Sequence, residues 1–428
     1  MKFYYEKYSY KIIGKNLHIS FLFKTDDVRF TPNVIIENVS LKGKDKKVID
    51  NLVFNLGMIE MFSYWKATCY PQIIIRAGAL DKKQVTWWEK LLLNGMGQFF
   101  YENKIKKTSF KIISERKSDF KKGKVTGKKI LIPVGGGKDS AVTLNIFKES
   151  NPACFALNPD KVILKMVGKK ELIVARRKIE KNLLDMNKKG FYNGHTPFVA
   201  YLSFLSILVS YLFNKKYIAF SNEDSANEEN VIWQGRKINH QYSKTYEFEK
   251  DFRDYCSKYL MDNVEYFSAL RMLYELQIGL IFSHMKDYHH IFLSCNEANK
   301  TNSGTKKKTG KWCNNCPKCL FTYLILYPFL TKKELLSIFK EDLFENKKLL
   351  PILKELTGEK KVKPFECVGT RHEVLVALYL GSKKEEKPYM IKYFEKNIFP
   401  KYENWEKMAS EVMDHWNNKN FIPKEFKL

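Results

Sequence analysis

The chain has 428 residues, too many for one ordinary domain, and 44% are hydrophobic and 14% aromatic, which excludes global disorder. Its formal charge of +27 invites a nucleic-acid reading. The lysines are scattered, though, with short runs such as 306–308 and no arginine-rich tract, so the charge reads better as a solvated surface than as a polyanion site.

In chain order, residues 1–13 mix charges with tyrosines and contain no long apolar stretch, unlike a signal peptide. Alternation in LHISFLF (17–23) and NVIIENVSL (33–41) predicts an antiparallel hairpin, and 47–66 has helical apolar spacing. Residues 1–120 read as a separate α+β module, and the lysine- and glycine-rich 121–129 as a linker. From there to about 330, short apolar strands alternate with helices: ILIPV (130–134), a helix over 139–149, CFAL (154–157), a helix over 160–168, ELIVA (171–175) and a helix over 176–187. The alternation continues with a helix at 198–213, YIAFSN (217–222), a long helix near 264–287 and a last strand at IFLSC (291–295). This pattern predicts an α/β domain over 121–330 with a doubly wound, mainly parallel sheet, and 331–428 reads as mainly helical. The most apolar segment, 198–213, has 16 residues with three serines and two tyrosines. A membrane span needs roughly 20 predominantly apolar residues, so a buried core helix in a soluble, cytoplasmic protein is expected.

Three glycines, Gly135, Gly136 and Gly137, followed by Lys138, Asp139 and Ser140, stand where the first strand of that sheet meets a helix. Glycines let backbone N–H groups approach a ligand, and a helix start offers unpaired N–H groups with the positive end of its dipole. Lys138 adds a charge and Ser140 a hydroxyl, so a phosphate chain is the expected guest. The stretch fits neither the G-x-x-x-x-G-K-[ST] loop nor the G-x-G-x-x-G fingerprint. It resembles the [ST]GGKDS signature of the PP-loop ATP pyrophosphatases, with Gly135 in place of the usual Ser or Thr.

Cys313, Cys316 and Cys319 have C-x-x-C-x-x-C spacing, and Cys295 lies upstream. Four thiolates at such spacing suit structural zinc; an iron–sulfur cluster or no metal are the alternatives, and His289 or His290 could replace Cys295.

Several further blocks occur in order: NGHTP (193–197), FSNEDSAN (220–227), NHQYSKTYEFE (239–249), YFSALRMLYEL (266–276), SCN (294–296) and KPFECVG (363–369). Together with the glycine loop the set resembles the ATP-dependent UDP-N-acetylmuramoyl-L-alanyl-L-glutamate epimerases of bacterial cell-wall synthesis. The resemblance implies conversion of the terminal L-glutamate to D-glutamate, with ATP and Mg²⁺ as cofactors and a UDP-N-acetylmuramoyl dipeptide as substrate. It implies that Gly135–Ser140 bind ATP. Glu223 and Asp224 stand at the end of a predicted strand, the edge where doubly wound sheets bind ligands, and could take Mg²⁺ or a proton. Candidates for the acid and base are His195, Glu223, His240 and Cys367. Arg271, inside an apolar stretch, either binds a substrate carboxylate or pairs with Glu275. The alternative is a PP-loop enzyme that thiolates tRNA or modifies a nucleobase. The charge and the cysteine cluster support it, but no C-x-x-C pair flanks the loop.

Overall fold

The computed structural model describes residues 1–106, 108–116, 119–299 and 309–426, so the lysine run at 306–308 lies outside the described residues. The predicted hairpin is present and larger than expected. Strand β1 (Lys2–Ile13) turns back through Gly14, at φ +62°, into β2 (Asn16–Lys24), which pairs with the short β3 (Arg29–Phe30) and with β4 (Asn33–Ile36). Alternation in β2 is strict: Leu17, Ile19, Phe21 and Phe23 are buried on one face. Two parallel strands, β5 (Gln72–Ile75) and β6 (Lys111–Ser114), extend the sheet beyond β1.

Next come β7 (Ile130–Pro133), β8 (Ala153–Leu157), β9 (Leu172–Lys178), β10 (Tyr217–Glu223) and β13 (Glu265–Leu270), all parallel to their neighbours in that group. Between β10 and β13 lies a small separate hairpin, β11 (Val231–Trp233) and β12 (Arg236–Ile238). Among the described residues the main sheet has eleven strands, in the order β13-β10-β7-β8-β9-β4-β2-β1-β5-β6, with β3 beside β2. Strands from either side of residue 120 therefore share one sheet, joined where β4 meets β9 antiparallel. Arg177 of β9 strengthens that seam by bonding the buried Glu60 of the helix Lys46–Trp65 at 2.8 Å.

Alternate residues feed two cores. Leu131, Ile218 and Phe220 pack toward the helices Lys46–Trp65 and Phe198–Phe213, whereas Ile130, Ile132, Tyr217 and Ala219 face the helices that follow β7 and β13. Helices thus cover both faces, as the doubly wound reading expects. The helix Phe198–Phe213 has the expected bounds, and no helix among the described residues is long and apolar enough to cross a membrane.

Three expectations are corrected. The long helix near 264–287 is instead strand β13 followed by the helix Glu275–Ser283. A short apolar run fits either element, and pairing with β10 decides it. IFLSC (291–295) is a loop, not a strand; its Leu293 N–H bonds the Gly136 carbonyl at 2.9 Å. The helix expected from 176 begins at Lys181, because β9 runs on to Lys178.

Candidate active site

The order of the parallel strands reverses between β7 and β10: β8 and β9 follow on one side of β7, β10 and β13 on the other. Ligands of open α/β sheets bind at the carboxyl ends of strands flanking such a point. The glycine loop follows β7, and Glu223 ends β10. Gly136 adopts φ +84°, and a Cβ on Gly137 would come 3.0 Å from the Ser294 hydroxyl oxygen, so the loop is close-packed from below. Ser140 Oγ accepts the Gly135 N–H at 3.1 Å; the N-cap of the helix Lys138–Ile146, Gly137, has no side chain to cap it, and the Lys138 N–H bonds Ser294 Oγ at 3.4 Å instead.

Lys138 is fully buried and bonds both Asp139 and Glu275. Burial opposes its charge, but the two carboxylates outweigh that and raise it above the ordinary lysine range. Burial also disfavours the Asp139 carboxylate, yet Lys138, Lys318 and Lys244 hold it below its usual value. Glu275 is pushed up by burial and by Asp139. Asp139, Glu223 and Glu275 each bring a carboxylate oxygen within 4.8 Å of the others. Glu223 Oε2 and Glu275 Oε1 are buried without a hydrogen bond among the described residues. Such a carboxylate cluster suits a hard divalent cation. Lys244 lies 3.4 Å from Glu223, and Lys318 3.6 Å from Glu275.

Beside this cluster are two imidazoles, His195 and His240, with ring centroids 4.5 Å apart. Both lie deep in the molecule yet partly open to solvent. Burial, with Lys66 nearby, lowers His195 to about 4; burial and then His195 hold His240 well below the ordinary range. Both are neutral near pH 7 and able to accept a proton. Cys367 is half-buried; its carbonyl accepts from Lys318, and its side chain lies within electrostatic reach of Lys244. His240, Lys244, Glu223 and Cys367 thus gather about the carboxylate cluster beside the glycine loop, with His195 against His240.

Sequence profiles of the MurL N-terminal domain and the MurL C-terminal domain match residues 1–269 and 291–407. The chain belongs to the MurL family. Relatives named UDP-N-acetyl-alpha-D-muramoyl-L-alanyl-L-glutamate epimerase, from Salinispora tropica, Micromonospora sp. and Xanthomonas oryzae pv. oryzae, are 32%, 32% and 29% identical to it. The matches cover 82%, 77% and 84% of this chain and 78%, 74% and 81% of the relatives. No solved structure matches.

Two residues in this MurL-family chain have other duties than expected. Asp224 is engaged by His415 at 2.9 Å and by Asn417 and Asn227 at 2.8 Å, tying down the segment after the helix Trp405–Met413. Arg271 pairs with Glu249, not Glu275; it also donates to the carbonyls of Glu223 at 2.6 Å and Lys244 at 2.5 Å. It therefore holds two site residues by their backbones.

Cys295, Cys313, Cys316 and Cys319 bring their sulfurs within 4.8 Å of one another, and none is in a disulfide. The Cys313–Cys319 and Cys316–Cys319 separations are 3.6 and 3.5 Å. Tetrahedral Zn–S bonds of about 2.3 Å require S···S of about 3.8 Å, so the set fits a structural metal. Bonds from Cys316 and Cys319 pull the Cys295 thiol down to about 4. His289 packs on Phe282 and bonds its carbonyl at 3.1 Å, outside the cluster.

Lys244, Lys318, Glu275 and Ser294 were not singled out for roles in the site by the sequence, although all lie inside the quoted blocks or the cysteine cluster. Gln98 and Lys66 approach from the N-terminal segment: Gln98 lies 2.6 Å from His240 Nδ1, and Lys66 donates to the Gly194 carbonyl at 2.7 Å.

Proposed function

We propose that this chain epimerises the terminal L-glutamate of UDP-N-acetylmuramoyl-L-alanyl-L-glutamate to D-glutamate, consuming ATP and releasing AMP and pyrophosphate, in cytoplasmic peptidoglycan precursor synthesis. The observation that carries this reading is the epimerase name shared by relatives that match 77–84% of the chain.

The chemistry accounts for ATP. A glutamate carboxylate resists loss of its α-proton, because the resulting enolate would add charge beside charge. Adenylation gives a mixed anhydride without that carboxylate charge, so the α-carbon becomes acidic. Return of a proton from the opposite face inverts the centre, and water then releases AMP.

In this reading Gly135–Ser140 form a loop of the PP-loop ATP pyrophosphatase type: backbone N–H groups and Lys138 hold the phosphates. Asp139 and Glu275, with Glu223 as either a third ligand or a proton carrier, would hold Mg²⁺, whose contribution is to neutralise phosphate charge during transfer. Two buried carboxylate oxygens with no hydrogen bond among the described residues, Glu223 Oε2 and Glu275 Oε1, support that fit. His195, His240, Glu223 and Cys367 supply the acid and base, which work best from opposite faces of the α-carbon. Cys295, Cys313, Cys316 and Cys319 would hold structural zinc. We divide the chain into an N-terminal module over 1–120, an ATP-binding domain over 121–330 and a helical region over 331–428.

Incubation with ATP, Mg²⁺ and the L-glutamyl nucleotide in D₂O tests the proposal: AMP release with deuterium at the α-carbon is expected. AMP without isotope would mean adenylation for another end, and pyrophosphate release dependent on tRNA would favour the thiolase class.

A further inference from the structure

Gln98 and Glu102 lie one turn apart on the short helix Gly97–Glu102, and they meet side chain to side chain. Gln98 Nε2 donates to Glu102 Oε1 at 2.8 Å. A carboxylate oxygen offers no proton to an amide nitrogen, so this contact fixes which end of the Gln98 amide faces inward. The inward atom is Oε1, 2.6 Å from His240 Nδ1. An amide oxygen only accepts; Nδ1 must therefore carry the hydrogen, and in a neutral imidazole Nε2 is left with the free lone pair. The His240 backbone is fixed as well, its N–H bonded to Asn230 Oδ1 at 2.8 Å. Gln98 is itself buried.

The same helix end, with Lys66, holds the backbone that leads into the other imidazole, His195. Asn103, next to Glu102, donates to the Asn193 carbonyl at 3.0 Å, and Lys66 donates to that of Gly194 at 2.7 Å. Gly194, at φ +149°, packs where a Cβ would meet Phe99 at 3.2 Å and Glu102 at 3.6 Å. Residues of the first hundred or so positions thus bond the His240 ring and the backbone that leads into His195.

We propose that Gln98, oriented by Glu102, is a positioning residue that fixes the tautomer of His240, so that His240 Nε2 is the atom that takes the α-proton. The proposal rests on the adenylation–epimerisation reading. In the step, the α-C–H bond breaks, its electron pair moves into the adenylated acyl group as an enolate, and the proton forms a bond to Nε2. The imidazolium keeps its Nδ1–H on Gln98 Oε1. Release of the Nε2 proton to solvent then accounts for isotope exchange.

Two measurements test this. The first needs no substrate: ¹⁵N spectra of histidine-labelled protein at about pH 8, with the His240 signals assigned by their loss in His240→Asn. A protonated Nδ1 with a bare Nε2 is expected; a protonated Nε2 would overturn the tautomer assignment. The second separates the partial reactions of Gln98→Leu in the presence of ATP, Mg²⁺ and the L-glutamyl nucleotide. ATP–pyrophosphate exchange should stay within about twofold, while α-deuterium exchange falls about 10-fold or more through loss of the hydrogen bond. The double substitution Q98E/E102Q interchanges amide and carboxylate but keeps an acceptor on Nδ1, and should recover most of the lost exchange. Equal losses in both partial reactions, or no loss in either, would overturn the positioning role. Wild-type protein that exchanges pyrophosphate but no α-proton would sink the functional reading and the catalytic half of the proposal, while the spectra would still decide the tautomer.

Discussion

Lys138 and Glu275, 137 positions apart, meet as a buried ion pair between the end of the glycine loop and the helix that follows β13. Desolvation makes such pairs poor sources of net stability, while removing one partner leaves a stranded buried charge. The pair is better understood as holding Lys138 charged and fixed in place beside the glycine loop. Glu275→Ala should therefore cost about 3–5 kcal/mol in urea unfolding and abolish ATP–pyrophosphate exchange. Glu275→Gln, which keeps the shape, should lose the exchange with a smaller stability penalty. Variants that unfold normally and still exchange pyrophosphate at the wild-type rate would remove Glu275 from the site.

Arg271 offers a prediction of a different kind, because it reaches the site through backbone carbonyls. Its guanidinium spans Glu249, Glu223 O and Lys244 O, three acceptors that an ammonium cannot serve in one geometry. Arg271→Ala strands the Glu249 carboxylate and should cost about 3–5 kcal/mol. Arg271→Lys should restore part of that stability yet leave α-proton exchange low, because the two carbonyls are no longer fixed together. Denaturant melts and isotope exchange on the two variants check this, and full recovery of exchange by lysine would count against it.

What the sequence disclosed was local. The glycine loop, the cysteine spacing, the first hairpin and the helix at 198–213 each fit within a short window, where residue type and period carry the information. The strand Glu265–Leu270 was misread because six apolar-rich residues satisfy a helix and a strand equally, and only a neighbouring β10 separates them. The partnerships Lys138–Glu275, Arg271–Glu249 and Gln98–His240 were out of reach for another reason. Each joins elements brought together by the order of the sheet, and no spacing rule links residues 142 positions apart such as Gln98 and His240. The continuity of the sheet across β4 and β9 was hidden in the same way. The family resemblance, by contrast, needed only the ordered blocks, which lie almost wholly within the two matched profiles.

His195 makes stability depend on pH. Burial, with Lys66 nearby, lowers it to about 4 in the folded chain, against about 6.5 when unfolded. Between those values the unfolded state binds a proton that the folded state does not, so stability is full above about pH 6.5 and falls as pH drops toward 4. Allowing for partial exposure, the wild type should lose about 1–2 kcal/mol more than His195→Asn between about pH 7.5 and 5. Urea titrations at the two pH values measure it, and parallel losses in both proteins would contradict the assignment.

The cysteine cluster reaches the site through two of its own neighbours. Ser294, adjacent to Cys295, accepts from the Lys138 N–H at 3.4 Å, and Lys318, between Cys316 and Cys319, bonds the Cys367 carbonyl and faces Glu275. A metal that fixes the four sulfurs thereby fixes both residues. Cys316→Ser should reduce bound zinc from about one per chain to near zero by atomic emission, and reduce ATP–pyrophosphate exchange with it. Lys318→Met separates the two effects: it should retain the metal, because its sulfurs are untouched, yet lose most of the exchange through the freed Glu275 carboxylate. A Lys318→Met protein with full metal and full exchange would show that the cluster supports the fold alone, whereas loss of metal in that variant would show that Lys318 holds the sulfurs rather than the reverse.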